Sequence, residues 1–182
     1  MTRKLDPEGP ARRARLAHFV LRVRDLGRAV EWYEEMVGME IVHRGEKLAF
    51  LTLDEEHHRL ALAETPVPGE VAPGAPGLDH VAFTLDSLDD LLSTYLRLRT
   101  KGLTPYLPIN HGPTTSLYYH DPEGNGVEFF VDNFTTEAEL KGWMESEAFR
   151  ANPFGVTFDP DKLAARYEAG DPLEELLKQG AA

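Results

Sequence analysis

Hydrophobic and polar positions alternate along two short stretches of the chain, LAHFVLRV from Leu16 and LDHVAFTL from Leu78. Each alternation runs into a turn and then changes period, to apolar residues three and four apart. A period of two marks a half-buried strand, and a period near 3.6 marks an amphipathic helix. The two stretches align at an offset of 78 − 16 = 62, which sets His18 on His80, Val23 on Leu85 and Leu26 on Leu88. A repeat of this kind governs how the rest of the chain is read.

Each copy predicts a strand (His18 to Val23; His80 to Leu85), a capped helix and three further short strands. Asp25 supplies the first cap, and Ser87 with Asp90 forms a capping box in the second copy. The helices stop near Gly38 and Gly102, where a left-handed residue ends a helix most easily. The later strands are expected at Glu40 to His43, Leu48 to Leu53 and His58 to Ala63, then at Leu103 to Leu107, Thr115 to His120 and Val127 to Val131. The fold class is therefore α+β: two tandem βαβββ modules forming a curved mixed sheet around a cavity, plus a C-terminal helical extension.

The boundaries follow from composition. Residues 1–13 form a charged lead, 14–64 the first module, 65–77 a Pro/Gly linker (TPVPGEVAPGAPG), 78–134 the second module and 135–182 the extension. In the extension, FTTEAELKGWMESEAF reads as one helix with Thr136 and Glu139 as its capping box. Asp159-Pro160 and Asp171-Pro172 each read as an N-cap followed by proline at the first helical position. The extension is expected either to pack over the sheets or to make a subunit contact.

Composition narrows the functional classes. The chain has 182 residues, 42% hydrophobic and 27% charged, which suits one large domain or two small modules sharing a core. No apolar run reaches the roughly 20 residues of a membrane span, and the N-terminal MTRKLDPEGPARRAR lacks a signal peptide's apolar stretch. Cysteine is absent, which fits a cytoplasmic protein and excludes thiolate chemistry and cysteine-bound zinc. A net charge of −12 argues against nucleic-acid binding, which needs clustered Lys and Arg.

Candidate chemistry starts from GVEFF, residues 126 to 130, where one carboxylate interrupts an apolar run. Charged groups are rarely buried unless paired or bound to a metal. Strand alternation places Phe19, Leu21 and Val23 on one face and His18 on the other; His80 opposes Val81, Phe83 and Leu85 in the same way. In SLYYH, Leu117 and Tyr119 pack while Ser116, Tyr118 and His120 share the polar face. Two sheets curved toward each other would present His18, His80 and Glu128 to one cavity as a metal site. The bland alternative is that the duplication merely repeated a structural histidine.

These residues resemble the vicinal oxygen chelate superfamily, which includes glyoxalase I, bleomycin-resistance proteins and extradiol dioxygenases. The resemblance covers roughly Leu16 to Asn133 and rests on LAHFVLRV, LDHVAFTL and HDPEGNGVEFF, with a tight turn from Pro122 to Gly126 before the ligand strand. A glyoxalase I-like site would carry a fourth ligand, a carboxylate on the last strand of the first module. Leu60 to Leu62 offer none, and Glu64 comes too late. Two histidines and a carboxylate match the ligand set of non-haem Fe(II) oxygenases.

Among these families the chain is most similar to a small type I extradiol dioxygenase, and that likeness implies the remaining roles. The second histidine of HHRLAL, His58, would be the acid–base catalyst acting at O2. Tyr118, ten residues before Glu128, would hydrogen-bond a substrate oxygen, and His111 in NHGPTTSLYY would contact substrate oxygen too. The implied cofactor is Fe(II), with Mn(II) as the alternative. The implied partners are a catechol-type diol and O2, in a homo-oligomer with no nucleic acid and no membrane. Two other function classes stand beside this one. One is a non-redox metal-dependent isomerase, epimerase or thiol transferase of the glyoxalase type; the other is a drug-sequestering binding module.

Overall fold

The computed structural model describes residues 15–65 and 77–182. The expected N-terminal lead and the interior of the expected linker lie outside the described residues. Strand β1 (Phe19–Val23) leads into helix α1 (Leu26–Val37), then β2 (Glu40–Arg44), β3 (Leu48–Thr52) and β4 (Leu60–Glu64). The second copy repeats the order with β5 (His80–Thr84), α2 (Leu88–Thr100), β6 (Leu107–Asn110), β7 (Thr114–His120) and β8 (Gly126–Asp132). The tail adds α3 (Glu137–Met144), α4 (Glu147–Ala151), β9 (Val156–Thr157), α5 (Pro160–Glu168) and α6 (Leu173–Leu176).

Most of the expected caps form, although the Ser87–Asp90 pair lacks the reciprocal backbone bond of a capping box. Asp25 accepts the Arg28 N–H at 2.9 Å, and α1 ends at Gly38 with φ 76°. Ser87 accepts the Asp90 N–H at 3.1 Å and donates to the Asp90 carboxylate at 2.6 Å. Thr136 and Glu139 make the full capping box of α3, and Asp159 caps α5 with Pro160 inside its first turn. The α5 helix packs on α2: Leu163 and Ala164 enter the same core as Leu91 and Leu98, and Tyr95 donates to Asp161 at 2.8 Å.

Several expected boundaries move. The long tail helix is two helices, because Ser146 accepts the Phe149 N–H and starts α4 afresh. Asp171 does not cap α6; its carboxylate is taken by Arg166, and α6 begins after Pro172 without a side-chain cap. The second strand of the second module lies at Leu107–Asn110 rather than Leu103–Leu107. Gly102 (φ 76°) ends the helical turn, and pairing with β7 starts only where the Tyr106 N–H reaches the Tyr118 carbonyl at 2.8 Å. His57 and His58 sit in the turn before β4 rather than on it.

The strands form two mixed sheets, ordered β1-β4-β3-β2 and β5-β8-β7-β6-β9. In each, the first strand runs parallel to the fourth, Phe19 opposite Leu60 and His80 opposite Gly126. Val42 is an extra residue in β2, a bulge between Ile41 and His43. The outer edge of β6 is covered by β9, whereas among the described residues β2 is an edge strand with all five residues exposed.

Each module has its own core, and Trp32, Val37 and Phe83 pack against both. A polar lock joins the modules as well. The Tyr33 hydroxyl donates to the Asp121 carboxylate at 3.0 Å, and both groups are buried. Asp121 also accepts from the backbone of Glu123 and Asn125 and from the Asn125 amide, which pins the DPEGN turn. Burial, then the Asp121 charge, pushes the Tyr33 phenol above its usual range, so it stays a donor. Tyr33→Phe is expected to cost about 1.5–3 kcal/mol, the range for a hydrogen bond to a charged group. Urea unfolding followed by circular dichroism measures it; a cost below about 0.5 kcal/mol, the floor for an ordinary hydrogen bond, would remove the lock.

Candidate active site

Glu128 lies on β8 with only 6% of its surface exposed. Its cross-strand neighbours are Ala82 on β5 and Tyr118 on β7. His80, two residues before Ala82, shares this face, and its Nε2 stands 3.1 Å from Glu128 Oε2. On the other side of the ring, Nδ1 lies 2.7 Å from Asp79 Oδ2. An ionised carboxylate only accepts, so Nδ1 carries a proton. In neutral imidazole, Nε2 is then a lone pair facing a carboxylate oxygen. Two acceptors at this distance need a proton between them, on the imidazole or on the carboxyl, or a metal ion. Two donors in adjacent positions about 2.1 Å from one ion stand about 3 Å apart, so the pair fits a divalent metal. A carboxylate behind a metal-bound histidine is also the usual way its ring is oriented.

Gly126 makes the pair possible. A Cβ at this position would stand 2.7 Å from the Asp79 carbonyl and 2.9 Å from His80 Cβ. The glycine lets β5 approach β8 closely enough to set His80 beside Glu128.

Aromatic groups wall the pair. The Tyr118 ring meets His80 edge-on, centroids 5.1 Å apart, and Tyr106 stacks on His120 at 4.1 Å. His111 Nε2 lies 3.1 Å from the Tyr118 hydroxyl. Burial first, and then the adjacent Glu128 carboxylate, pushes the Tyr118 phenol above its usual range, so it remains protonated.

The first module gathers a second group. His18, exposed at the start of β1, stands with its ring centroid 4.4 Å from that of His58. His58 stacks on Phe50 at 4.6 Å, and its Nδ1 is 2.6 Å from Nδ1 of His57. The loop is braced by Thr52, which donates to the Glu56 carbonyl, and by the Asp54–Arg59 ion pair. Arg59 also donates to the Leu16 and Ala17 carbonyls, tying His18's approach to β4. Desolvation, then His18 and His57, holds the His58 pKa below its ordinary value, which leaves the ring neutral at neutral pH.

The six residues singled out by sequence thus fall into two groups: His80, Glu128, Tyr118 and His111 in one, His18 and His58 in the other. Among the described residues no three His, Asp or Glu side chains are clustered as a metal site, so His18 is not assembled with His80 and Glu128. Each module's strands bond only within their own sheet, and nothing in the backbone pairing draws the start of β1 onto β5.

Strand register shows that the first module supplies no fourth ligand. Phe19 and Val81 are repeat equivalents, and they oppose Leu60 and Val127. Ala61 therefore occupies the position that Glu128 holds in the second module. Glu64 serves elsewhere, its carboxylate accepting the Leu26 N–H at 3.2 Å at the start of α1.

A family model, the Glyoxalase/Bleomycin resistance protein/Dioxygenase superfamily, matches residues 15–129. The chain belongs to this superfamily. Within the superfamily it is 46% identical over 164 residues to biphenyl-2,3-diol 1,2-dioxygenase 3 of Rhodococcus globerulus, covering 89% of this chain and 86% of that protein. Biphenyl-2,3-diol 1,2-dioxygenase 2 of the same organism is 43% identical over 163 residues, with the same coverage. A crystal structure of a glyoxalase/bleomycin resistance protein/dioxygenase from Nocardioides shares the fold, with a TM-score of 0.54 at 24% identity over 68% of this chain and 86% of that one.

Asp79 and the Phe154 carbonyl, which bonds His111 Nδ1 at 2.5 Å, were not singled out by sequence reasoning. Asp79 had a signal, since it directly precedes the candidate histidine. Phe154 lies 43 residues from His111 and had none.

Proposed function

We propose that this protein is an extradiol ring-cleaving dioxygenase that opens a catechol-type aromatic diol with O2. What carries the reading is similarity along nearly the whole chain to two proteins named biphenyl-2,3-diol 1,2-dioxygenases. A bond between carbons 1 and 2 of a 2,3-diol lies beside the hydroxyl pair rather than between the hydroxyls. The site supports the same reading, because Ala61 removes the carboxylate that a glyoxalase I-like isomerase site would use. The reaction balances without another reductant: one O2 enters, one ring C–C bond breaks, and both oxygen atoms stay in the product.

His80 and Glu128 would hold the metal; His18, which stands beside His58 here, would have to move to them to serve as third donor, and Fe(II) suits two imidazoles and a carboxylate, Mn(II) being the alternative. When bound, the ion supplies a Lewis acid that favours the ionised diol and a redox partner for O2. The chain's own groups do the rest. Tyr118, kept protonated, hydrogen-bonds a substrate oxygen and orients the ring. His111 holds the Tyr118 hydroxyl in place. His58, neutral at neutral pH, takes and returns a proton. Phe50, stacked on His58, fixes that ring's plane.

The test is anaerobic reconstitution with Fe(II), then 2,3-dihydroxybiphenyl or catechol in air, following O2 uptake and the yellow ring-opened product. Both are expected together. No O2 uptake with either diol, despite a stoichiometrically bound metal, would overturn the reading in favour of isomerase chemistry. His58→Gln is expected to lower kcat by about 10²–10⁴-fold, the contribution of a general acid–base group, with a smaller effect on KM. An unchanged kcat in the oxygen electrode would take His58 out of the chemistry.

A further inference from the structure

The C-terminal extension grips the hairpin that carries His111. Val156 and Thr157 of β9 pair with Asn110 and Ile109 of β6. The Asn110 amide donates to the Leu177 carbonyl at 2.8 Å, and Gln179 donates to the Asn110 carbonyl at 3.1 Å. Trp143 lies over Gly112, where a Cβ would collide with its indole ring. These contacts surround one residue, and they bring the Phe154 carbonyl to His111 Nδ1.

We propose that the extension acts as a positioning element for the site, its Phe154 carbonyl selecting the His111 tautomer and through it the direction of the Tyr118 hydroxyl. This rests on the dioxygenase reading of the site. A carbonyl only accepts, so His111 Nδ1 carries the proton and Nε2 is left as a lone pair. The Tyr118 O–H then donates to His111 Nε2 across 3.1 Å. The opposite tautomer would donate to Tyr118 and turn the phenol proton toward its other neighbour, Glu128, directly opposite it in the sheet. That would occupy a carboxylate lone pair needed beside His80. The tautomer held by Phe154 therefore draws the Tyr118 proton away from the Glu128 carboxylate, with which the phenol also interacts, and leaves the Tyr118 oxygen able to accept a hydrogen bond from a substrate hydroxyl.

The strap is built for placement of backbone rather than side chain. Phe154 is 80% exposed. Asn152 Oδ1 accepts the Phe154 and Gly155 N–H groups, each at 3.2 Å, and Asn152 Nδ2 donates to the Gly155 carbonyl at 2.6 Å. Gly155 has φ 111°, and a Cβ there would collide with the Asn110 carbonyl oxygen and stand 2.8 Å from His111 Cα. Only glycine passes this close to the histidine's own backbone.

The experiment is ¹⁵N NMR of the histidines in the metal-free full chain, with His111 assigned by its loss in His111→Gln. The wild type is expected to show His111 protonated at Nδ1 with a bare Nε2. Asn152→Ala, which opens the turn without adding bulk, is expected to shift His111 toward the Nε2–H form. After Fe(II) loading it should lower kcat about tenfold with KM changed less than about threefold, a smaller loss than removal of an acid–base group itself. Asn152→Asp keeps the two accepting contacts and should recover most of the wild-type tautomer; Gly155→Ala should repeat the Asn152→Ala result. A wild-type His111 protonated at Nε2, or a tautomer shift that leaves kcat untouched, overturns the proposal. Absence of O2 uptake in the wild type would instead defeat the dioxygenase reading alone, because the NMR readout needs no turnover.

Discussion

Glu128→Ala is expected to abolish ring cleavage: reconstituted with Fe(II) and given 2,3-dihydroxybiphenyl in air, the variant should take up O2 at under about one hundredth of the wild-type rate. That is the upper end of what losing a ligand's supporting partner costs, and a direct donor should cost no less. Melting temperature separates this role from a structural one. An ion at about a hundred times its Kd stabilises the folded wild type by about 2.7 kcal/mol. For a chain of this size that is roughly 5–11 °C. The variant should lose the whole of this gain while its metal-free form melts near the metal-free wild type. Were Glu128 only the counter-ion of His80, the wild type would gain nothing from Fe(II) or Mn(II), and the metal-free variant would carry the loss. Anaerobic differential scanning calorimetry, with and without each ion, reads both outcomes.

The second large effect is expected at Gly126→Ala, the smallest possible insertion. The new methyl would meet the Asp79 carbonyl and His80 Cβ inside contact distance, and neither is the movable end of a long side chain. Strand β5 must shift away from β8, straining the pairing from His80 to Thr84. Overpacking of this kind costs about 1–3 kcal/mol, here roughly 2–12 °C in melting temperature. Activity should fall further than stability, by about 10²-fold at temperatures where the variant is fully folded, because displacement of a positioned group by an ångström has that effect. A variant that melts lower yet turns over normally would show that His80 need not sit where Gly126 lets it.

The same glycine shows why part of the site was legible in sequence. GNGVEFF combines a turn, a gap for a neighbouring strand and a charge where strand periodicity calls for burial, and all three are local signals. The repeat was legible for a similar reason: an offset of 62 brought two strand–turn–helix patterns into line, and the caps at Asp25 and Ser87 fell where the structure has them. Local signals failed where tertiary partners decide. Asp171 has a cap's sequence context but is claimed by Arg166. The strand containing Pro108 starts late because its pairing with β7 sets the boundary. The meeting of His80 with Glu128 combines the shared face that periodicity implied with the parallel register of β5 on β8. The common placement of His18 with them depends on how two separate sheets face each other, and no periodicity encodes that.

The unequal treatment of the two sheet edges bears on how copies of this chain would meet. A strand edge is a row of unsatisfied backbone donors and acceptors, open to any extended segment that matches its spacing. In the second module β9 fills that row. In the first, no described strand pairs with the outer edge of β2, and Ile41 and Val42 are exposed there. Its defence is the bulge at Val42, which breaks the even spacing a docking strand needs, together with Glu40, His43 and Arg44 along the same strand. Deleting Val42 would restore an unbroken ladder. The molecule would then carry a ready seam for edge-to-edge growth, guarded only by those three polar side chains.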